Sequence, residues 1–204
     1  MKIIGLTGPS GSGKSTLCHK FEELKIPCIN TDEIYHSITS APSPCLDELK
    51  AKFGEEIIDS RGGLDRKKLA SIVFEGEHAN ENLASLNTTT HKHIWIETNK
   101  LLTKYKSKGV KAAVIDAPAL FSSKIFLTAC DIIISVLCDK ELRLERIIKR
   151  DGISREQALA RMNAQPSDAF FTDNSDYVIA NRGTPEEMVE ELLSILHQEE
   201  IIIR

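Results

Sequence analysis

The chain has 204 residues, enough for one domain with room for a helical insertion. Its 26 basic and 30 acidic side chains leave a net charge of −4, without the positive field that non-specific nucleic-acid binding needs. No apolar run approaches the ~18 residues of a membrane span, and the N-terminus turns polar and glycine-rich too early for a signal peptide, so a cytoplasmic protein without a membrane partner is expected.

In chain order, the apolar run Lys2–Leu6 predicts a first strand, followed by a glycine-rich loop. Lys14–Leu24 predicts a helix, with Leu17, Phe21 and Leu24 spaced by four and three. Ile26–Ile29 predicts a second strand after a reversal that Pro27 helps fix. Ala112–Ile115, Ile132–Leu137 and Tyr177–Ala180 predict three more. These runs are almost wholly apolar rather than alternating, the pattern of parallel strands covered on both faces. Helices are predicted over Lys140–Arg150, Arg155–Ala164 and Pro185–His197, and the alternation argues for an α/β fold on a parallel sheet. From about Ser43 to Lys106 the alternation stops. That stretch holds helix formers, as in Leu46–Phe53 and Arg66–Phe74, and no convincing strand, so residues 43–106 read as a helical insertion in a core made of 1–42 and 107–204. The tail Ile201-Ile202-Ile203 reads equally as packed or frayed.

Cys18, Cys28, Cys45, Cys130 and Cys138 are odd in number and widely spaced, with no Cys-x-x-Cys pair. Cys28, Cys130 and Cys138 sit in or beside apolar runs, where a thiol acts as a small buried hydrophobe. A structural metal site is not expected.

Gly8-Pro9-Ser10-Gly11-Ser12-Gly13-Lys14-Ser15 fits G-x-x-x-x-G-K-[ST] in full, between a predicted strand and a predicted helix. Glycines let the backbone fold closely around phosphate oxygens, so that Gly11, Ser12, Gly13, Lys14, Ser15 and Thr16 present N–H groups to them. The helix N-terminus adds its positive end. Lys14 is expected on the β- and γ-phosphates of a nucleoside triphosphate and the Ser15 hydroxyl on Mg²⁺. Asp116, ending the third strand, either holds that magnesium or caps the next turn. Asp32, just past the second strand, takes a proton from (or orients) an acceptor hydroxyl, unless Thr31 or Asp32 is simply the N-cap of a helix through Ile34–Ile38. Arg143, Arg146 and Arg150 share a helical face, with Arg155 and Arg161 on the next helix. They either face the loop or form a solvated face paired with Glu141 and Glu145, which accounts best for Arg143. His91 and His93, near Trp95, read from pattern alone as packed or solvated.

An ordered series of residues resembles the dephospho-CoA kinase family. It runs from Ile4-Gly5-Leu6-Thr7-Gly8 and the phosphate loop through Ile29-Asn30-Thr31-Asp32, Leu64-Asp65-Arg66 with Phe74, and His91. Asp116-Ala117-Pro118-Ala119-Leu120-Phe121, Arg146, Arg150-Asp151, Gln165 and Asp176-Tyr177-Val178-Ile179-Ala180-Asn181 complete it. The resemblance implies a five-stranded P-loop kinase fold with a helical acceptor-binding region and a lid around 146–165. It implies transfer of the ATP γ-phosphate to the 3′-hydroxyl of dephospho-CoA with Mg²⁺, the last step of coenzyme A synthesis, by a monomer or weak homo-oligomer. By position it makes Asp32 the base or hydroxyl-orienting group and places Arg146 and Arg150 in the lid, so that with Lys14 of the loop the expected catalytic residues are Lys14, Asp32 and Arg146, with Arg150 among the ATP contacts. Asp32, Arg66 and His91 fall on the acceptor side, and Ser15 and Asp116 on the metal. The family usually has aspartate where Asn30 stands, proline where Lys92 stands and glutamate where Ser122 stands. The loop wording also resembles uridine kinases, so nucleoside or nucleotide kinases and a non-catalytic ATP-binding regulator are the alternatives. A guanine-reading Asn-Lys-x-Asp is missing from Asn99-Lys100-Leu101-Leu102.

Overall fold

A computed structural model describes residues 1–40, 42–75, 78–182 and 184–202. Its strands are β1 (Lys2–Thr7), β2 (Cys28–Asn30), β3 (Ala112–Asp116), β4 (Ile132–Cys138) and β5 (Tyr177–Asn181). They form one all-parallel sheet in the order β2-β3-β1-β4-β5. The helices are α1 (Lys14–Glu23), α2 (Thr31–Thr39), α3 (Pro44–Phe53), α4 (Arg66–Phe74), α5 (Ala79–Ser107), α6 (Lys124–Ala129), α7 (Lys140–Asp151), α8 (Arg155–Asn163), α9 (Asp168–Asn174) and α10 (Pro185–Gln198). The chain divides into two compact units, one of Met1–Ile29 with Lys104–Arg204 and one of Asn30–Thr103.

In the first unit, Ile4 and Leu6 of β1, Val114 of β3, Ile134 and Val136 of β4 and Ile179 of β5 are buried together. Leu17 and Phe21 of α1 and Met188, Leu192 and Leu196 of α10 pack with them. The opposite face of β1 carries Gly5, where a Cβ would stand 2.8 Å from the Cys130 sulfur and 2.9 Å from Leu120. Both sheet faces are therefore covered, which is why the strand runs lack polar alternation. Ile201 joins this core and Ile202 packs against it, so the tail is packed to that point; Ile203 and Arg204 lie outside the described residues.

α1 ends in a Schellman motif. Lys25 takes a left-handed φ of 62°, Ile26 N donates to Phe21 O at 2.9 Å and Lys25 N to Glu22 O at 2.9 Å. The second strand begins at Cys28 rather than at Ile26, as the sequence predicts. Ile26 N is committed to the helix end, and Pro27 has no N–H, although its carbonyl accepts from Val114 N at 2.8 Å. α6 and α9, of 6 and 7 residues, are too short to show a helical period in the sequence.

The second unit is built by α2 to α4 and α5 as far as Thr103, with an isolated antiparallel bridge between Ile58 and Leu64 as its other regular pairing among the described residues. Cys45, Leu46, Leu49, Phe53, Ile57, Leu64, Leu69 and Val73 form its core. α2 corrects the capping reading: the N-cap is neither Thr31 nor Asp32 but Asn30, whose Oδ1 accepts from Asp32 N at 2.9 Å and Glu33 N at 3.2 Å. Asn30→Ala should lower stability by about 1 kcal/mol in urea denaturation, whereas Asn30→Asp, which also caps well, should stay close to the parent.

Candidate active site

The phosphate loop leaves β1 at Thr7 and enters α1 at Lys14, and it is held in place from three sides. Gly8, at φ +136°, lies so close to β4 that a Cβ would collide with the Val136 carbonyl oxygen. At the other end Gly13 caps α1 in a left-handed conformation. Behind it Asn181, the last residue of β5, donates from Nδ2 to Ser12 O at 2.8 Å. A Cβ at Gly13 would run into that same amide.

α7 supplies the third side. Arg143 Nε donates to Ser10 O at 3.2 Å, Arg146 Nη1 to Gly11 O at 3.3 Å, and Arg150 Nη2 to Ser10 Oγ at 3.1 Å. Gln165, past the end of α8, accepts from Ser10 N at 3.1 Å and from Arg143 Nη2 at 3.4 Å. The reading of Arg143 as a solvated residue is thereby overturned. It is 5% exposed and pairs with Asp168 of α9 at 3.2 Å. Glu141 pairs instead with Arg155, and Asp151 with Arg150 and Arg161. Arg146 differs from the rest of this row: among the described residues it has no carboxylate at ion-pair distance, and its other acceptor is the Cys138 sulfur at 3.3 Å. A cation left without an anion beside a phosphate loop is available to one.

Gly13, Ser15, Thr16, Arg146, Asn181, Pro185 and Met188 line an open cavity of about 240 Å³. Lys14 Nζ donates to Gly8 O at 3.1 Å, folded along the loop it belongs to. Ser12 Oγ is buried and has no hydrogen-bond partner among the described residues, a cost that a ligand acceptor would remove. Asp116 ends β3 opposite Leu6 of β1, one residue before the strand gives way to the loop approach, and Ala117 N donates to Leu6 O at 3.1 Å. Of the nucleotide-side residues predicted from the sequence, Gly13, Ser15, Thr16 and Arg146 share the cavity. Gly11, Ser12, Lys14 and Arg150 make or contact the loop itself.

In the second unit, Asp32 follows β2 by two residues and is exposed in the first turn of α2. Arg66, the first residue of α4, is held by groups that carry no negative charge. Its Nη2 lies 2.8 Å from His36 Nδ1 and 2.9 Å from Thr39 Oγ1, and its guanidinium stands 5.6 Å from the Tyr35 ring centre. Tyr35, His36 and Thr39 escaped sequence reasoning, because their contacts with Arg66 are distant in sequence and no local pattern marks them. His91 lies half-buried on α5, and burial pushes its pKa below the ordinary histidine value.

Lys92 and His93 meet a different group. Both contact Glu48 Oε2 on α3, at 2.7 Å and 2.9 Å. These two hydrogen bonds hold the Glu48 carboxyl down to about 2. A carboxyl whose folded pKa lies below its unfolded value adds stability above the unfolded value and loses it as pH falls toward the folded one. Glu48→Gln should therefore be less stable than the parent at neutral pH. That difference should shrink between pH ~4.5 and ~2, a window that chemical denaturation across a pH series would check.

The family model described as dephospho-CoA kinase matches residues 2–187. A Bacillus cereus dephospho-CoA kinase is 37% identical over 200 residues, covering 98% of each chain. Among solved structures, a Thermus thermophilus protein superposes with a TM-score of 0.78 at 29% identity, covering 97% of each chain. A dephospho-CoA kinase from Campylobacter jejuni superposes at 0.68 with 25% identity, covering 98% of each.

Proposed function

The chain belongs to the dephospho-CoA kinase family, and from that premise we propose how its residues move the γ-phosphate of ATP onto the 3′-hydroxyl of dephospho-CoA. The observation that carries the reading is the complete phosphate loop, clamped by α7 and β5, with Arg146 left uncompensated beside it. Neither nucleoside kinases nor a catalytically silent regulator gains support from the relatives.

ATP binds with its phosphates against the loop N–H groups and the N-terminus of α1. Lys14 turns from Gly8 O to the β- and γ-phosphates, and the Ser12 hydroxyl finds its acceptor there. Arg146 and Arg150, which hold the loop by neutral oxygens, exchange those contacts for the transferring phosphoryl group. Charge-assisted bonds to phosphate are stronger than the carbonyl and hydroxyl bonds they replace. With residues 146–165 serving as the lid, closure on α7 and α8 keeps water from the γ-phosphate and so suppresses hydrolysis.

The oxygen donors Ser15 and Asp116 suit Mg²⁺, which prefers hard ligands and keeps waters and phosphate oxygens in most of its coordination sphere. When bound, the ion neutralises charge on the β- and γ-phosphate oxygens.

On the acceptor side, Asp32 has no capping duty, since Asn30 performs it, and its exposed carboxylate orients the 3′-hydroxyl and takes up its proton. Arg66, fixed by Tyr35, His36 and Thr39, offers its charge to an acidic portion of the acceptor, and His91 lies with the same unit. Because the reaction requires little covalent participation from the protein, positioning and electrostatics supply most of the acceleration.

ADP release with Mg-ATP should be stimulated by dephospho-CoA and not by uridine or nucleoside monophosphates. Asp32→Asn should cut that turnover by about 10²-fold or more while ATP affinity stays near the parent value, the scale of a lost general base. Stimulation by uridine alone, or an unchanged Asp32→Asn rate, would refute the assignment.

A further inference from the structure

Cys18 and Cys28 lie ten positions apart in the sequence, but the reversal through Lys25 and Pro27 brings them together. Cys18 is on α1 and Cys28 opens β2, and their sulfurs stand 3.0 Å apart. Two thiols in van der Waals contact are normally farther apart than this, and a disulfide bond is about 2.05 Å long, so roughly 1 Å of approach separates the pair from a covalent bond. Both side chains are part-buried against the sheet core rather than sealed within it, so a small oxidant can reach them. Among the described residues the other cysteines have no sulfur neighbour at this distance. Cys45 lies in the core of the second unit, Cys130 packs under Gly5, and Cys138 takes a hydrogen bond from Arg146.

We propose that Cys18 and Cys28 are an oxidation site that closes to an intramolecular disulfide with peroxide and slows phosphoryl transfer while closed. Cys18 falls one turn beyond Lys14 and Ser15, and Cys28 falls four residues before Asp32. The bond therefore ties the helix that presents the phosphate-loop side chains to the strand that leads to the acceptor-orienting carboxylate. The chemistry balances with hydrogen peroxide as two-electron oxidant. One sulfur attacks the O–O bond and becomes a sulfenic acid as the first water leaves. The second sulfur displaces the sulfenic oxygen, which departs as a second water carrying the remaining thiol hydrogen. Two S–H bonds and one O–O bond are broken, one S–S bond and two O–H bonds are formed, and a thiol reductant reverses the change.

The test treats the full chain with hydrogen peroxide, blocks remaining thiols under denaturing conditions, and maps the peptides before and after dithiothreitol. The expected result is a Cys18–Cys28 linked peptide that dithiothreitol releases and that Cys28→Ser cannot form. In parallel, turnover should fall by up to about 10²-fold, the scale of a 1 Å displacement in a catalytic site, recover with dithiothreitol, and be spared in Cys28→Ser. The turnover arm rests on the kinase reading, whereas the peptide map does not. Two freely alkylated thiols in a stable folded chain would overturn the site. A linked peptide with unchanged dephospho-CoA phosphorylation would overturn its effect on catalysis, and a chain that phosphorylates no acceptor even when reduced would count against the kinase reading instead.

Discussion

Everything on the nucleotide side depends on how closely the backbone passes β4 at Gly8. The loop can fold back toward α1 because that position carries no side chain; a methyl group would strike the Val136 carbonyl. With that approach fixed, Asn181 at the end of β5 reaches Ser12 O, and α7 lies near enough for three arginines to bond the loop oxygens. The parallel order β3-β1-β4-β5 brings Asp116, the loop, Cys138 and Asn181 to the carboxyl edge of the sheet, where open α/β folds bind their ligands.

The arginines fall into two groups, those neutralised by a carboxylate and those held by neutral partners. Arg143 is buried and compensated by Asp168, so it supports the loop; Arg155 and Arg161 are compensated on the surface. Arg146 in the first unit and Arg66 in the second are each positioned by neutral partners, and among the described residues neither has a carboxylate at ion-pair distance. A guanidinium oriented but not neutralised is prepared for an anionic ligand without the loss of an existing ion pair. The substrates of this family, ATP and dephospho-CoA, both carry such anions.

The sheet was legible because buried parallel strands write continuous apolar runs, and the phosphate loop because its glycines and lysine have one geometry to satisfy. What stayed hidden depended on contacts distant in sequence. Arg143, Arg146 and Arg150 share one periodic face, and nothing in the spacing says that the first is buried against Asp168. Asn30 was a departure from the family's aspartate, yet it works as the helix cap assigned to its neighbours. Lys92, another departure, forms an ion pair with Glu48 across two helices. The Cys18–Cys28 contact was invisible for the same reason: a Schellman ending and a proline set their approach, and neither alters the spacing of the cysteines.

The most direct test of the account follows both phosphorus atoms and acceptor in one tube. Phosphorus NMR of the chain with Mg-ATP and dephospho-CoA should show the ATP γ-signal replaced, mole for mole, by a phosphomonoester on the ribose 3′-oxygen, with Lys14→Ala leaving both substrates unchanged. Loss of the γ-signal to inorganic phosphate, with dephospho-CoA untouched, would contradict the claim that this loop and its arginines deliver the phosphoryl group to that hydroxyl.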